Sequence, residues 1–334
     1  MPRVNYTKTA TNISQQIQKL RNRNFVIEDV EKAKEYLSDI GYYRLGFYFF
    51  PFELTYPLTD SRRDHHVKPG TIIEHCVALY YFDFDLRNIL NKYLSRIEVA
   101  IRTAFIYELS NKYIANPYWF VDPMVVSTSF IHNFPTKVYD TIKNKEVIKR
   151  HRQKYLGNYA PAWKTMEYMM FGNLTTLYKE LHLEDDKKLI SRKFGVEDVD
   201  VFYDYLEVVR LVRNACAHGN VLYDNNTWTP VQNGPAGHFT GPNRHNLHTS
   251  LQVIRFLLSS VSTNRVKDLD RELCEAAIRL NKKCPSLRRM IRIKTGIPIP
   301  RKVSLGKFLS IMWRKLIKKM KNSVDLLAQL KKKS

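Results

Sequence analysis

Arginine, asparagine and histidine lie close together near residue 215, in a pattern that can handle a phosphodiester. Arg213 and Asn214 precede His218, and Gly219 follows it directly. An arginine guanidinium holds a phosphate through a planar, permanently charged fork, and a histidine exchanges protons near neutral pH. Attack by a ribose 2′-hydroxyl on a phosphodiester needs a proton carrier and a group that stabilises charge on phosphorus. These residue types therefore suit phosphate binding or RNA cleavage without a metal.

A helix that begins near Asp198 must position these side chains, because apolar and polar residues there recur at helical spacing. Asn214 and His218 share a face if the helix continues to His218, whereas Arg213 and His218 lie about 140° apart around an ideal helix. One site can use both only if the helix loosens near His218 or a second chain brings its own copy. Gly219 suits the left-handed residue that ends a helix. The apolar stripe holds Phe202, Leu206, Val209, Val212 and Cys216, and the polar stripe holds Glu207, Arg210, Asn214 and His218.

The same spacing also fits a structural role. His218 can cap the last carbonyls of the helix, and Arg213 can belong to a surface ion pair. Spacing alone does not separate this interpretation from a chemical one.

The segment Arg-Asn-x-x-Ala-His at a helix end resembles the signature of the HEPN superfamily, small helical domains that are often metal-independent endoribonucleases. Further stretches are similar to one branch, the Abi-like (AbiD/AbiF-type) abortive-infection proteins of bacteria. They occur in the family's order across residues 15–225. They are KAKEYL at 32–37, GYYRL at 41–45, YFDFDLR at 81–87, RIEVAIRT at 96–103, PAW at 161–163, Glu167, FGNL at 171–174 and Tyr178.

This resemblance implies an endoribonuclease toxin of bacterial anti-phage defence or of a toxin–antitoxin system. His218 would transfer a proton at the 2′-hydroxyl or the leaving 5′-oxygen, Arg213 would stabilise the phosphorane, and Asn214 would orient the scissile phosphate or the imidazole. Neither a metal nor a cofactor is expected, and the product would carry a 2′,3′-cyclic phosphate. A single motif per chain implies a homodimer in which two motifs meet at an isologous interface.

Glu98 and Arg102 form a polar pair on a long helix, four residues apart. The resemblance places them in the same cleft, where they would orient the catalytic side chains and bind phosphate. The alternative is a pair that only holds two helices in register. Arg210, on the polar stripe, is a further expected RNA contact.

Charge, independently of the resemblance, points to nucleic acid, an anionic membrane or an acidic protein as the partner. The chain has 54 Lys and Arg residues against 32 Asp and Glu residues, a net charge of +22, which favours anionic partners. The pattern at 304–321 predicts an amphipathic basic helix. Such a helix can bind RNA, dock on the domain or contact an anionic membrane. Its expected RNA contacts are Arg314, Lys315, Lys318 and Lys319.

A non-catalytic RNA-binding HEPN protein, for example in complex with a small regulatory RNA, is therefore the alternative function. The N-terminus has no apolar signal core and no run of 18 apolar residues occurs, so we expect a cytoplasmic protein without membrane attachment. The four cysteines include no C-x-x-C pair, so no zinc site is expected.

The predicted fold is all-α, an HEPN-like helical bundle with N-terminal helical additions and a basic C-terminal helical extension. The predicted regions are 1–70, 71–262 and 263–334, and residues 225–243 are predicted to be loop. The aromatic residues at 42–50 are expected to pack the N-terminal helices rather than to stack on bases. Four residues near 165 are expected in the core rather than in a ligand platform, and Cys216 is expected to be a buried thiol; the four are Trp163, Met166, Met169 and Met170. Predicted helices span 11–20, 24–36, 71–113, 138–154, 185–194, 198–218, 245–260, 266–280 and 304–321.

Overall fold

The computed structural model describes residues 5, 7, 9–59, 62–227 and 229–300. These residues form helices joined by turns and isolated β-bridges, without a strand, so the predicted all-α fold is confirmed. The helices are α1 (Ile13–Asn22), α2 (Val30–Asp39), α3 (Tyr42–Phe49), α4 (Ile73–Lys112), α5 (Thr128–Phe134), α6 (Asp140–Ile142), α7 (Glu146–Lys154), α8 (Ala162–Tyr168), α9 (Phe171–Glu180), α10 (Glu184–Ser191), α11 (Val199–Ala217), α12 (Leu247–Val261), α13 (Thr263–Lys283) and α14 (Arg288–Thr295).

The chain forms two compact units. The first consists of the described residues of Met1–Asp85 and of Glu275–Met290, and the second of Leu86–Cys274 and the described residues of Ile291–Ser334. The division at residues 70 and 262 stays a prediction. The helix expected at 304–321, with Arg314, Lys315, Lys318 and Lys319, lies outside the described residues.

In the first unit, α3 buries one face of its aromatic run. Tyr48 and Phe49 are buried, and the Tyr48 hydroxyl donates a hydrogen bond to Asp83 Oδ2 at 2.8 Å. Packing is therefore their role, as expected. Tyr43 and Phe47 differ, since they lie on the exposed face and pack edge to face on each other.

Helix α2 begins six residues later than predicted. Asn24 has a φ of 69°, a left-handed conformation that no helix interior contains. Asp29 then caps the helix by accepting a hydrogen bond from the backbone N–H of Lys32 at 2.9 Å, as N-cap aspartates do. The apolar spacing at 24–29 belongs instead to an extended segment that pairs Val26 with Ile72.

The connection after α3 contains a buried acid that is bonded to basic side chains. Glu53 is buried, and its carboxylate accepts hydrogen bonds from Arg63 Nε at 2.8 Å and Nη2 at 2.6 Å. The His65 ring lies 3.1 Å from the same carboxylate. A buried acid with a bidentate arginine partner fixes the connection from inside.

The helix predicted at 138–154 is two segments separated near Lys145. The first continues from α5 through a π-helical turn, Pro135–Tyr139, into α6. Pro135 has no N–H to complete the α-helical ladder, and the N–H of Asp140 bonds to the Pro135 carbonyl five residues back, which widens this turn. Lys145 is extended, and α7 starts after it.

In the second unit, α11 packs between α9, α10 and α12. Met166 and Met169 belong to the core, as predicted, but Trp163 and Met170 do not, since half of each side chain is exposed. The two exposed residues lie on the outer side of the short helix α8 and of the turn that follows it. Cys216, expected to be a buried thiol, is only half-buried. Among the described residues, no helix combines the length and the apolar run needed to cross a bilayer.

Candidate functional site

Helix α11 carries the candidate residues to its C-terminal end. The Asp198 carboxylate caps its start by accepting hydrogen bonds from the N–H groups of Asp200 and Val201. The helix is uninterrupted to Ala217, and its apolar face lies in the core of the second unit. Because the buried face is fixed, Arg210, Arg213 and Asn214 emerge half-buried beside it.

The helix end is a Schellman motif. His218 is the C-cap with φ −88° and ψ 3°, and Gly219 is left-handed with φ 67°. The N–H of Gly219 bonds to the Cys216 carbonyl, and the N–H of Asn220 bonds to the Ala215 carbonyl. These two bonds define the motif, and the predicted role of Gly219 as the terminator is confirmed.

We expect Gly219→Ala to destabilise the protein by about 1 kcal/mol, because a Cβ is strained in the left-handed region. Gly46→Ala is the matched control: it lies inside α3, and nothing lies within 4 Å of the position that an added Cβ would take. That change should stabilise by up to about 1 kcal/mol. Urea unfolding midpoints measure both. A Gly219→Ala midpoint at or above wild type contradicts the assigned turn.

Buried Arg87 holds the same turn from α4. Its Nη1 donates a hydrogen bond to the Asn220 carbonyl at 3.1 Å. The bond ties the backbone two residues beyond His218 to a rigid helix, so the C-cap residue is presented from a fixed position. In the sequence, Arg87 stands out only as the last residue of the family-like stretch at 81–87. Its position eleven residues before Glu98, a nearly whole number of helical turns, was the available signal.

Glu98 connects two arginines. One carboxylate oxygen accepts a hydrogen bond from Arg102 Nη2 at 3.1 Å, and the other lies 3.7 Å from Arg213 Nε. Only 16% of the Glu98 side chain is exposed, against 39% of Arg213. The acid therefore orients the Arg213 guanidinium from its inner side and leaves part of it accessible.

Arg102 supports this arrangement rather than facing solvent. Its Nε donates to the Met166 carbonyl at 3.0 Å and its Nη2 to the Met169 carbonyl at 3.0 Å. Met166 lies in the last turn of α8 and Met169 is its C-cap residue, where carbonyls need partners from outside the helix. The Met166 carbonyl also accepts the Met169 N–H. Arg102 thus fastens the α8–α9 turn to α4, and its expected contact with phosphate stays a prediction.

The other predicted residues occupy distinct positions. Arg213 Nη1 donates a hydrogen bond to Asn214 Oδ1 at 3.3 Å, so these neighbours are joined. The imidazole of His218 is exposed, and within the described part of the chain its ring has no hydrogen-bond partner. The structure brings together Arg213, Asn214, Glu98 and Arg102, and places His218 one residue beyond the same helix.

Arg210 is engaged by a neighbour on its own helix. Its Nε and Nη2 donate to the two carboxylate oxygens of Glu207 at 2.9 and 2.5 Å, and this bond raises the pKa of Arg210. Its Cδ lies 3.6 Å from the position that a Cβ on Gly172 would take. Gly172 therefore allows α9 to lie against the Arg210 side chain. RNA contact by Arg210 stays a prediction.

The helix end combines a held cation, an adjacent amide and an accessible imidazole. Such a set can bind an anionic oxygen and move a proton. In the described ranges, no three His, Cys, Asp or Glu side chains lie close enough together to hold a metal ion.

Comparison with known proteins gives one match. The family model described as Abi-like protein matches residues 35–224, more than half of the chain. The matched segment contains all the residues described above for the candidate site, from Arg87 to Asn220. No curated protein and no solved structure matches.

Proposed function

The chain belongs to the Abi-like protein family of abortive-infection proteins, and from this premise we propose that it is a metal-independent endoribonuclease of the HEPN superfamily, of the AbiD/AbiF type. The observation that carries the proposal is the end of α11. There Arg213 is oriented by Glu98, and His218 presents an unengaged imidazole on an ordered cap. Because α11 stays helical to Ala217, Arg213 and His218 remain about 140° apart around it. In the proposal a second copy therefore brings its proton carrier to the positioned cation, an arrangement that suits the transfer of a phosphoryl group.

The proposed reaction is attack of the ribose 2′-oxygen on the adjacent phosphorus. A His218 imidazole accepts the 2′-hydroxyl proton as the new P–O bond forms. The P–O5′ bond breaks, and the 5′-oxygen takes a proton from an imidazolium. Arg213 stabilises the charge on the non-bridging oxygens, and Asn214 orients the phosphate. The products are a 2′,3′-cyclic phosphate and a 5′-hydroxyl.

A homodimer supplies the second proton carrier. One imidazole cannot be both the base and the acid of the same concerted step, whereas an isologous interface brings two copies of one surface together. The exposed position of His218 at the end of α11 leaves it available for such a contact. In the proposed dimer, one copy accepts the proton and its partner donates one.

Purified wild-type protein should cut total RNA in the presence of EDTA and leave 2′,3′-cyclic phosphate ends. His218→Ala, treated identically, should leave RNA intact. Cleavage is read from fragment lengths and from end labelling before and after removal of the cyclic phosphate. Cleavage that requires added metal, or that His218→Ala retains, contradicts the proposal. Co-purified RNA is removed first, because bound RNA masks activity.

The net charge of +22 favours a second candidate, an RNA-binding protein without catalysis that holds a small regulatory RNA. In that case Arg213 and His218 bind RNA. His218→Ala then lowers the affinity for RNA, and neither the wild type nor the variant cleaves it. Binding would weaken steeply with salt in either case, because it releases counterions from the phosphates.

A further inference from the structure

A cavity of about 240 Å³ lies in the second unit, between the α5–α6 segment and α9. Its apolar wall comes from Phe130, Phe134 and Val138. Its polar lining comes from Ser129, Asn133, Lys137, Asn173, Thr176 and Glu180. Ligand sites share this combination of apolar walls and a few placed polar groups. The volume suits one flat ring system better than a whole nucleotide.

The π-helical turn at Pro135–Tyr139 shapes one wall. It places Lys137 and Val138 on the lining, and the Lys137 side chain is exposed at the rim without an ion-pair partner among the described residues. Single π turns inside α-helices occur frequently at functional sites. The widened turn therefore builds the wall and leaves a cation at its edge.

Glu180 is held in place at the other end of the cavity. One of its carboxylate oxygens accepts a hydrogen bond from the Ser127 hydroxyl at 2.5 Å, and the Ser127 N–H bonds to the Glu180 carbonyl. The second carboxylate oxygen has no hydrogen bond within the described residues. A fixed carboxylate with one open oxygen is a ready acceptor for N–H donors.

Asn173 supplies the complementary donor. Its Nδ2 atom is buried without a hydrogen-bond partner among the described residues. Such atoms are rare in folded proteins because the desolvation cost is not recovered. Asn173, Thr176 and Glu180 are spaced to share one face of α9, and all three line the cavity. A ligand with an acceptor beside donors would satisfy both ends.

We propose that this cavity binds the guanine base of the RNA substrate, an inference that rests on the proposed ribonuclease function. Guanine presents N1–H and N2–H donors next to the O6 acceptor. The open Glu180 oxygen accepts from the two neighbouring donors, and Asn173 Nδ2 donates to O6. Adenine, cytosine and uracil each offer only one donor beside an acceptor along that edge, so they make fewer bonds. Lys137 at the rim neutralises a phosphate of the same strand.

The cavity borders α9, and α9 packs against α11, the helix that carries the candidate site. Gly172, which precedes Asn173, lies against Arg210, and Arg210 is one helical turn from Asn214. From Gly172, the lining positions Thr176 and Glu180 lie roughly 6 and 12 Å along α9, at a rise of about 1.5 Å per residue. A few nucleotides span that separation. His218 lies about 12 Å further along α11 from Arg210, so the proposed base site is several nucleotides from the phosphate that is cut.

Binding of guanosine 5′-monophosphate to the full chain, followed by calorimetry, tests the pocket without cleavage. Wild type should bind it about tenfold more tightly than the adenosine, cytidine and uridine monophosphates, since a bidentate base contact discriminates by about this factor or more. Glu180→Gln keeps the side-chain size and an acceptor for Ser127, yet should remove the preference. Glu184→Gln, on an exposed acid at the start of α10, should leave it unchanged.

Asn173→Asp is the second variant, because it replaces the donor with a charge that repels O6 and should also remove the preference. Circular dichroism confirms that each variant is folded. Equal affinity of wild type for the four monophosphates overturns the pocket assignment, as does a guanine preference that survives both substitutions.

Mapping of cleavage sites separates this inference from the function on which it rests. Cleavage several nucleotides from a guanine in wild type, with relaxed positions in Glu180→Gln, supports both. Cleavage without base preference, together with equal monophosphate affinities, overturns the pocket and keeps the ribonuclease. Guanine binding that depends on Glu180 in a protein that cuts no RNA overturns the ribonuclease and keeps the pocket.

Discussion

Arg213→Ala will lower the rate of RNA cleavage by about 100- to 1,000-fold, the usual effect of removing one group that stabilises a developing oxyanion. Arg213 is the arginine at this helix end that Glu98 orients while part of its guanidinium stays accessible. The charge on the non-bridging oxygens grows as the phosphorane forms, so the loss should appear in the cleavage rate at saturating protein. RNA affinity should change much less, because one phosphate contact among many is removed.

Arg192→Ala is the matched control for this prediction. Arg192 also pairs with a glutamate, Glu197 at 3.0 Å, but at an exposed position just after α10. Both substitutions remove one positive charge, so both lower non-specific RNA binding equally. Single-turnover rates on one labelled RNA compare them. Equal losses from the two variants would show that Arg213 acts through net charge alone.

Arg102→Met should destabilise the protein by about 3 kcal/mol, the scale of breaking a buried ion pair whose partner stays behind. Only 11% of the Arg102 side chain is exposed. Methionine fills the space of the aliphatic stem, but it removes the Arg102 donors from the Met166 and Met169 carbonyls and leaves Glu98 without its closer cation. The Met166 carbonyl keeps the Met169 N–H as a partner. The free energy of unfolding in urea measures the loss.

Arg150→Met provides the comparison, because Glu146 and Arg150 repeat the Glu–Arg spacing of Glu98 and Arg102 on another helix. Those side chains are 66% and 76% exposed, and exposed pairs contribute about 0.5 kcal/mol or less. The same substitution should therefore lower the free energy of unfolding much more at Arg102 than at Arg150. Similar midpoints for the two variants would mean that Arg102 does not hold the α8–α9 turn.

The long helices and the helix caps follow from local signals in the sequence. The predicted helix at 71–113 is Ile73–Lys112, and the helix expected from 198 ends at Ala217 with Gly219 as terminator. Apolar periodicity over many residues, an aspartate cap and a glycine stop act within a few residues of where they stand. Such features need no knowledge of the rest of the fold.

Contacts between distant segments were not predictable in the same way. The partners of Arg102 are backbone carbonyls 64 and 67 residues away, and carbonyls carry no sequence signature. The same holds for Arg87 and the Asn220 carbonyl. Pro135 was a visible signal for the π-helical turn, because proline removes a helical hydrogen bond, but the continuation of the helix past it depends on packing.

Packing between distant segments also decides which side of a short helix faces the core. Met166 and Trp163 were both expected in the core. Helix α8 is only seven residues long, and it buries Met166 but not Trp163. Periodicity over two turns fits several orientations. The prediction of a core position is therefore wrong for Trp163 and Met170 and confirmed for Met166 and Met169.

The catalytic role of His218 is the central claim, and one paired measurement tests it most directly. Single-turnover cleavage and RNA dissociation constants are determined side by side for wild type and His218→Ala, in EDTA and at one salt concentration. We predict a loss of cleavage of about 100-fold or more, the scale of general acid–base catalysis, with an affinity within about threefold of wild type and an unchanged unfolding midpoint. Retained cleavage in folded His218→Ala would contradict the account, as would affinity and cleavage that fall together by the same factor.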